Sequence, residues 1–310
     1  VTRIVEEKDA SEQERTISEI NSGIMCTSAR QMRAWLSQLE NDNAQKEYYL
    51  TDTIAMAVND GITVNSTHPE TEQEVAGVNS RSQLAELERY YQRQYAEQLM
   101  AAGVTLADPA RLDIRGEVES GQDVTLDVNV VLIGKIKLGN NVSIGPGCVI
   151  NNSVIGDNVV IKPMSVIEEA TIESGAIVGP FARLRPGAKL AADVHIGNFV
   201  EIKNSQIGKA SKVNHLSYVG DTTMGADVNV GAGTITANYD GANKHRTEIE
   251  DNASVGSNSV LVAPVKVSKN ATLGAGTILR KDAPEGELTL IATKQKTISG
   301  WKRPKKKAEE

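Results

Sequence analysis

Between Leu126 and Leu279 a large aliphatic residue returns at almost every sixth position. A period of six is neither the 3.6 of an amphipathic helix nor the simple alternation of a single strand. It predicts a parallel β-helix, in which each repeat supplies one short strand and one turn. The positions are Leu126, Leu132, Leu138, Ile144, Ile150, Ile155, Ile161, Ile167, Ile172, Val178, Leu184, Leu190, Ile196, Ile202, Ile207, Val213, Val219, Met224 and Val230, then Ile249, Val255, Leu261, Val267, Leu273 and Leu279.

A second set of positions, four residues after many of these aliphatic residues, holds small or β-branched residues. We interpret the large residues as the filling of a prism and the small ones as the places where the chain turns a corner. Three repeats would complete one coil, and successive coils would stack about 4.8 Å apart. The small positions are Cys148, Ser165, Ala176, Ala182, Ala188, Ser211, Ser217, Thr234, Ala253, Ser259 and Ala271.

Composition limits the classes of protein that remain. The 310 residues are 40% hydrophobic but only 4% aromatic, which suits a core of aliphatic side chains. A net charge of −7 argues against nucleic acid as the partner. Cys26 and Cys148 are far apart, which indicates free thiols in a reducing compartment. No run of 18 apolar residues and no signal-like N-terminus occurs, so we expect a soluble, cytoplasmic protein with no membrane partner.

The chain divides into three parts. Residues 1–81 mix strand-like segments at 2–5 and 23–26 with helical segments at 29–39 and 50–58. Residues 82–102 have the apolar spacing of a helix, and Gly103 follows where a helix end favours a left-handed residue. Residues 103–310 contain the solenoid and a basic tail. The first part is too short for an independent α/β core, so we expect it to be a partial domain.

Arg185 and Lys203 are the first candidates for chemistry. They are 18 residues apart, which places them at the same position of successive coils. Stacked cations repel each other unless an anion lies beside them, and a phosphate monoester suits a guanidinium and an ammonium group. The alternative is an ordinary solvated pair of surface cations.

His215 is the second candidate, because it follows the core position Val213 and would stand on an outer face. An imidazole accepts a proton efficiently near neutral pH. Glu201, 14 residues earlier, is a candidate to orient it. The alternative is a merely exposed histidine. His68, His195 and His245 show no zinc-ligand spacing within one chain, although trimeric β-helices can assemble histidines across an interface.

Residues 235–246 interrupt the repeat with a polar, glycine-containing insertion that directly follows Gly231-Ala232-Gly233. A loop that leaves a rigid solenoid can close on a ligand or reach a neighbouring subunit. The alternative is a tolerated surface insertion.

These segments together resemble one family, the bacterial bifunctional enzymes of UDP-N-acetylglucosamine synthesis. Those enzymes couple a glucosamine-1-phosphate N-acetyltransferase to an N-acetylglucosamine-1-phosphate uridyltransferase. The resemblance covers essentially the whole chain. The motifs that carry it are Pro180-Phe181-Ala182-Arg183-Leu184-Arg185-Pro186-Gly187, Asn198-Phe199-Val200-Glu201-Ile202-Lys203, His215-Leu216-Ser217-Tyr218, and the run from Asn229 through Gly233 to Asn238-Tyr239-Asp240-Gly241-Ala242-Asn243-Lys244.

The resemblance implies a mainly β fold. Residues 103–310 would form a left-handed parallel β-helix that carries the N-acetyltransferase. Residues 82–102 would be a linker helix, and residues 1–81 the C-terminal remnant of an α/β uridyltransferase (nucleotidyltransferase) domain. It also implies a homotrimer with active sites between subunits.

The resemblance assigns His215 as the general base that takes a proton from the glucosamine amine as it attacks acetyl-CoA. From the residues themselves we infer that Glu201 supports His215, and Asn238 is expected to assist catalysis. The residues implied for glucosamine-1-phosphate are Arg185, Lys203, Tyr218, Asn229 and Lys244. Those implied for the co-substrate acetyl-CoA are Ala232, Asn238, Tyr239, Ser257 and Ala275.

Two departures from the family pattern affect these expectations. Family members carry an arginine shortly before the C-terminal Gly-Trp, where this chain has Lys294 as the available point charge. In the first region Glu6, Asn21 and Asn79 match nucleotide-sugar contacts, and Asn79 also matches a ligand of the Mg2+ required for uridylyl transfer. The glycine-rich phosphate loop and the partner aspartate have no match, so we expect this chain to acetylate without transferring uridylyl groups.

Two other functions remain compatible with the fold. A non-catalytic trimeric scaffold would retain the β-helix without depending on His215. A metal-dependent hydratase on the same fold would need zinc and interfacial histidines. Sugar-phosphate acetyl transfer accounts for Arg185, Lys203, His215 and the insertion together.

Overall fold

The computed structural model describes residues 1–292 and 295–303 and divides the chain into two compact units, Val1–Tyr90 and Tyr91–Glu310. The first unit contains helices α1 (Ala29–Leu36) and α2 (Asp52–Asn59) and the 3-10 helices Glu14–Thr16 and Glu72–Val75. The indole Nε1 of buried Trp35 donates to Asp60 Oδ2 at 2.8 Å and ties α1 to the end of α2.

The strands expected at residues 2–5 and 23–26 are wrong, because both segments are irregular in the structure. A β-strand is stable only when its backbone groups pair with a neighbouring strand. Within the described part of residues 1–90 neither segment has such a partner. The helical segments were predicted correctly in type, with ends a few residues from those observed.

Helix α3 (Arg81–Ala101) runs across the boundary of the two units, and Gly103 follows it with a φ of +101°. The C-terminal half of α3 covers the open end of the solenoid. The buried amide of Gln92 donates to Ile114 O at 2.7 Å and accepts from Ile114 N at 2.8 Å. It thus makes the two hydrogen bonds to Ile114 that a neighbouring strand would otherwise supply. Tyr95 Oη accepts from Val118 N at 2.9 Å. These bonds satisfy part of an edge that would otherwise be free to pair with another chain.

The solenoid is a parallel β-helix with three faces, preceded by the 3-10 helix Pro109–Arg111. Face 1 consists of Val104–Leu106, Val124–Leu126, Ser143–Ile144, Val160–Ile161, Ile177–Val178, His195–Asn198, Lys212–His215, Asn229–Val230, Ser254–Val255, Thr272–Leu273 and Leu288–Thr289.

Faces 2 and 3 share the two long strands Leu112–Ser120 and Val130–Leu138, which bend around the corner between them. Face 2 continues with Val149–Asn151, Val166–Glu168, Arg183–Leu184, Glu201–Lys203, Tyr218–Gly220, Ile235–Ala237, Val260–Val262 and Ile278–Leu279. Face 3 continues with Val154–Ile155, Thr171–Ile172, Lys189–Leu190, Gln206–Ile207, Thr222–Met224, Thr247–Ile249 and Val265–Val267.

The six-residue period is confirmed by the burial of every aliphatic residue that defines it. Each is at most 4% exposed, and Leu132, Ile150, Ile167, Leu184 and Ile202 are fully buried. The small-residue positions are buried as well. Where they are serines or threonines, the hydroxyl bonds a main-chain carbonyl, as Ser211 Oγ does with Gly225 O at 2.7 Å. A hydroxyl at a corner therefore satisfies a turn without entering the apolar interior.

One inward position departs from the pattern. Thr236, buried on face 2, takes the place of an aliphatic residue. Its hydroxyl accepts from Gly220 N at 2.8 Å and donates to Gly220 O at 3.1 Å. The coil that carries the insertion is thus bound to the coil below by polar contacts as well as by apolar packing.

Among the described residues, no helix is both long enough and apolar enough to cross a membrane.

The burial pattern predicts how strongly the solenoid depends on one interior residue. Ile150→Ala should lower the free energy of unfolding by about 2–5 kcal/mol, because it leaves a cavity in a close-packed stack. Val154→Ala, which changes a side chain 47% exposed in the same coil, should lower it by less than about 1 kcal/mol. Urea titrations of both variants measure the difference. Equal losses of unfolding free energy would contradict the assignment of Ile150 to the interior and of Val154 to the surface.

Candidate active site

His215 ends a strand of face 1 at the corner that leads to face 2, and its ring is exposed. On the coil below, the strand register pairs it with Asn198. The Nδ1 atom of His215 lies 2.9 Å from Asn198 Oδ1. Because the amide oxygen is an acceptor, this contact is a hydrogen bond in the tautomer that carries its proton on Nδ1, and that tautomer has a lone pair on Nε2.

Among the described residues, the hydrogen bond of the Glu201 carboxylate goes to Arg185 and that of the His215 ring to Asn198, so the expected support of His215 by Glu201 stays a prediction. Glu201 lies on face 2 in register with Tyr218, and its Oε1 accepts from Arg185 Nη1 at 2.7 Å. The hydrogen bond from Arg185 to Glu201 raises the pKa of the guanidinium above its usual value. The length of a coil explains why Glu201 does not lie directly below His215. His215 and its neighbour below are separated by 17 residues, whereas Glu201 precedes His215 by only 14.

Arg185 and Lys203 lie next to each other on adjacent coils at the end of face 2. Leu184 pairs with Ile202, and Arg185 N donates to Ile202 O at 2.8 Å, which extends the register to these two cations. Both side chains are half-buried. Arg185 is engaged by Glu201, while none of the ion pairs among the described residues includes Lys203 or Lys244. Those two ammonium groups are therefore the more available for an anion.

Asp221 is the centre of the polar contacts beside these cations and is only 7% exposed. Its carboxylate accepts from the side-chain amides of Asn204 and Asn238, and its main-chain oxygen accepts from Thr247 N at 3.2 Å. Asn238 and Thr247 stand at the two ends of the insertion. Asp221 thus ties both ends of the insertion to the coil below.

Burial raises the pKa of the Asp221 carboxyl, but other effects outweigh it. The amides of Asn204 and Asn238, followed by the charges of Lys203 and Lys244, lower the pKa below its usual value. Asp221 is therefore ionised at neutral pH and offsets part of the positive charge around it.

The insertion itself is an ordered hairpin. Tyr239 bridges to Lys244 in antiparallel fashion, and His245 N donates to Asn238 O at 2.8 Å. Asp240 accepts from the main chain of Ala242 and Asn243 and pairs with His245 Nε2 at 2.6 Å. The main-chain hydrogen bond from Asn243 and the side-chain bond to His245 hold the pKa of Asp240 well below its usual value. These contacts leave the ring of Tyr239 62% exposed.

Tyr218 lies over Gly220, the last residue of its own strand. A Cβ atom at position 220 would stand 2.4 Å from Tyr218 Oη and 2.9 Å from Asn238 Nδ2. Glycine at this position therefore lets the phenol approach the base of the insertion. The ring of Tyr218 comes next to the Asp221–Asn238 contact in consequence.

A column of small residues continues upward from His215 along the same corner. Gly233 N donates to His215 O, Asn258 N to Ala232 O, and Gly276 N to Ser257 O, which aligns His215, Ala232, Ser257 and Ala275 on successive coils. Ser257 and Ala275 are exposed, and Ala232 is half-buried. Three small side chains therefore follow His215 on successive coils, and the last lies roughly 14 Å from it at the usual spacing of strands.

Asn229 is separated from the other residues expected to bind the sugar phosphate. It lies on face 1, in register with Lys212 and Ser254, whereas Arg185, Lys203 and Tyr218 belong to face 2. A single chain therefore presents these groups from two faces of the prism.

A cleft of about 390 Å3 opens on face 1 beside His215. Burial lowers the pKa of His195 there, and the neighbouring charges of Lys162 and Lys212 lower it further. The residues that line the cleft are Lys162, Gly179, Pro180, Phe181, His195, Gly197, Asn198, Phe199, Asn214 and His215.

In the first unit, Glu6 Oε1 accepts from Thr51 Oγ1 at 3.0 Å, while Asn21 and Asn79 are exposed. Among the described residues, no group of three histidine, cysteine, aspartate or glutamate side chains could hold a metal ion. The part expected of Asn79 in binding Mg2+ stays a prediction from sequence. Lys294 lies outside the described residues.

Comparison with known proteins identifies the family. A model described as the hexapeptide repeat of succinyl-transferase matches residues 246–281. The bifunctional protein GlmU of Thiobacillus denitrificans is 59% identical over 310 residues, which is 100% of this chain and 68% of the relative. The bifunctional protein GlmU of Methylococcus capsulatus is 57% identical over 311 residues, with coverage of 100% and 68%. This chain belongs to the GlmU family.

Among solved structures, the UDP-N-acetylglucosamine acyltransferase of Francisella novicida superposes with a TM-score of 0.42 at 16% identity, over 60% of this chain and 66% of that chain. Membership of the GlmU family and the hexapeptide repeat make this chain an acyltransferase.

Sequence reasoning missed three residues of this site: Asn198, Asp221 and Gly220. Counting one coil of 17 residues back from His215 would have identified Asn198. The same counting would have connected Asp221 with Asn204 and Asn238, each 17 residues away, whereas Gly220 gave no signal in the repeat.

The Asp221 contacts predict a stability effect that depends on pH. In Asp221→Asn, one of the two carboxylate oxygens that accept from Asn204 and Asn238 is replaced by an NH2 group. One of the two amide donors loses its acceptor, which should lower the free energy of unfolding at pH 7 by about 1–3 kcal/mol. The folded-state pKa is lowered, so the carboxylate stabilises the fold fully above the unfolded-state value of about 3.9. That contribution is lost as the pH falls through the folded-state pKa. Urea titrations between pH 3 and pH 7 measure the effect.

The matched control is Asp227→Asn, which changes an exposed aspartate with a similar left-handed backbone. It should leave the unfolding free energy almost unchanged. Similar losses in both variants, or a loss for Asp221→Asn that is the same at pH 3 and pH 7, would contradict the role given to Asp221.

Proposed function

We propose that this protein transfers the acetyl group of acetyl-CoA to the amine of glucosamine-1-phosphate and forms N-acetylglucosamine-1-phosphate. The observation that carries the proposal is the position of His215. It stands at a corner, with cations at the end of the adjoining face and a column of small residues above it. The resemblance to bifunctional enzymes of UDP-N-acetylglucosamine synthesis supplies the identity of the substrates.

His215 acts as the general base. Its Nδ1 proton is held by Asn198, so Nε2 is free to accept a proton from the amine. The amine nitrogen attacks the thioester carbonyl, a C–N bond forms, and the C–S bond breaks as CoA leaves. The released sulfur takes a proton and appears as the thiol. Main-chain N–H groups would stabilise the oxyanion that develops on the carbonyl.

Lys203 and Lys244 bind the phosphate of the sugar, with Arg185 beside them. The support for this is that the charges of both lysines lower the pKa of Asp221, and that none of the ion pairs among the described residues includes either lysine. Glu201 holds Arg185 in place. Tyr218, over Gly220, is in position to contact the sugar ring.

Acetyl-CoA lies along the column formed by Ala232, Ser257 and Ala275. Small residues over three coils would accommodate an extended pantetheine arm whose thioester ends at His215. Asn238 still has a second N–H and its oxygen available after its bond to Asp221, and Tyr239 presents an exposed ring beside it. The contribution of Lys294 stays a prediction from sequence.

We also propose that the protein is a homotrimer with its active sites between subunits. Two observations favour this assembly. Asn229 and the phosphate-binding cations belong to different faces of one chain, so a site that uses both is served better by two subunits. In addition, Met164, Phe181, Phe199 and Leu216 form an exposed apolar column at one corner, each at least 51% exposed. Sedimentation of the purified chain tests the trimer.

Uridylyl transfer belongs, by resemblance, to the longer relatives. Our expectation that these 310 residues do not perform it is tested by incubation with UTP, Mg2+ and N-acetylglucosamine-1-phosphate. Formation of UDP-N-acetylglucosamine would overturn it.

The role of His215 is tested by thiol release from acetyl-CoA in the presence of glucosamine-1-phosphate. His215→Ala should reduce kcat by about 100- to 10,000-fold, because the general base is lost. His68→Ala, which changes an exposed histidine of the first unit, is the matched control and should retain most of the activity. Release that persists in His215→Ala would remove His215 from its role, and no release from the folded wild-type trimer would favour a non-catalytic scaffold.

The phosphate site is tested by Lys203→Ala and Lys244→Ala. Each variant should raise KM for glucosamine-1-phosphate by about 10- to 100-fold, since a charged hydrogen bond contributes about 1.5–3 kcal/mol. KM for acetyl-CoA should change little. Lys189→Ala, on face 3, is the control for loss of one surface cation. An increase in KM for acetyl-CoA alone would assign the two lysines to the other substrate.

A further inference from the structure

We propose that Asn198 is a positioning residue for the acetyl transfer, and that it holds His215 in the tautomer whose Nε2 accepts the proton of the amine. This inference rests on the proposed function and goes beyond it, because it explains how a neutral side chain prepares the base.

The contact is fixed by the architecture and not by a flexible loop. Asn198 and His215 are the last residues of neighbouring strands on face 1, and their Cα atoms are partners in the parallel register. Leu216 N also donates to Asn198 O at 3.0 Å, directly after the histidine. Main-chain and side-chain bonds from one residue therefore fix both the strand end and the ring that projects from it.

Gly197 keeps the two strands close at this point. A Cβ atom at position 197 would lie 1.9 Å from Asn214 O, so only glycine permits the observed approach. The approach brings the amide of Asn198 under the ring of His215. The short distance between Oδ1 and Nδ1 follows from this close stacking, together with the usual strand spacing of about 4.8 Å.

The charges around the ring explain why a neutral partner suits this site. Lys162 and His195 line the same cleft, and Lys212 pairs with His195 on the next coil. Among the described residues that line the cleft there is no carboxylate. Glu201, the acid proposed from the sequence, is held by Arg185 on the other face.

A carboxylate next to Nδ1 would favour the imidazolium form, which cannot accept a proton. An amide oxygen instead selects a tautomer without stabilising a charge to the same extent. Asn198 thus holds the ring of His215 in one orientation, as a base needs before the amine arrives. The opposite amide orientation would donate to Nδ1 and place the proton on Nε2, where it would block the reaction.

The test uses the full chain and three variants assayed by thiol release across pH 5.5–9. Asn198→Ala should lower kcat by about 10- to 100-fold, the usual range for the partner of a functional histidine, with KM for both substrates nearly unchanged. Asn198→Asp should retain the geometry but move the acid limb of the pH–rate profile to higher pH, because the carboxylate stabilises the charged ring. A role confined to folding would not produce that displacement.

Asn214→Ala is the matched control. Asn214 lines the same cleft and precedes His215, but its Oδ1 has no hydrogen-bond partner in the described structure. Its removal should leave kcat and the pH profile close to those of the wild type.

The tautomer is read directly from the nitrogen chemical shifts of 15N-labelled histidine, with His215→Ala used to assign the signals among the four histidines. We expect His215 to be protonated on Nδ1 near neutral pH in the wild type and in Asn214→Ala, and to populate both tautomers in Asn198→Ala. A proton on Nε2 in the wild type would overturn the proposal, as would wild-type kcat in Asn198→Ala. Activity that survives in His215→Ala would instead overturn the role of the base itself.

Discussion

The structure depends on the stacking of inward aliphatic side chains in a fixed parallel register. Each coil places one such residue on each face, and neighbours above and below bury it almost completely. A shift of one residue would turn these side chains outward and bring charged ones inside, so the register is strongly specified. Surface residues are positioned just as closely, because a residue next to a buried position has no freedom to move along the strand.

The candidate active site uses this rigidity. His215 and Asn198, like Arg185 and Lys203, are pairs formed by residues one coil apart, and the distance within each pair is set by the strand spacing. The insertion is the exception, since it leaves the repeat and returns through the contacts of Asp221. A rigid wall and one anchored loop give a site that is largely organised before a ligand arrives, which lowers the ordering cost of binding.

The sequence predicted the solenoid because one period extends over most of the chain and each match has the same physical cause. The positions of Arg185 and Lys203 followed from the same counting. Glu201 precedes His215 by less than one coil, and it therefore lies on face 2 beside Arg185 instead of directly below the histidine. Asp221 lies one coil of 17 residues from Asn204 and from Asn238, so the period links these three, whereas the return of the insertion to Asp221 through Thr247 is not set by the period. The strands expected at residues 2–5 and 23–26 failed for a related reason: a strand-like composition does not supply a pairing partner.

The most direct test of the central claim is a crystal structure of the assembled protein with glucosamine-1-phosphate and CoA. The account predicts the phosphate between Lys203 and Lys244, the amine nitrogen within hydrogen-bond distance of His215 Nε2, and the pantetheine arm over Ala232, Ser257 and Ala275. A sugar phosphate bound elsewhere, or an amine directed away from His215, would contradict it.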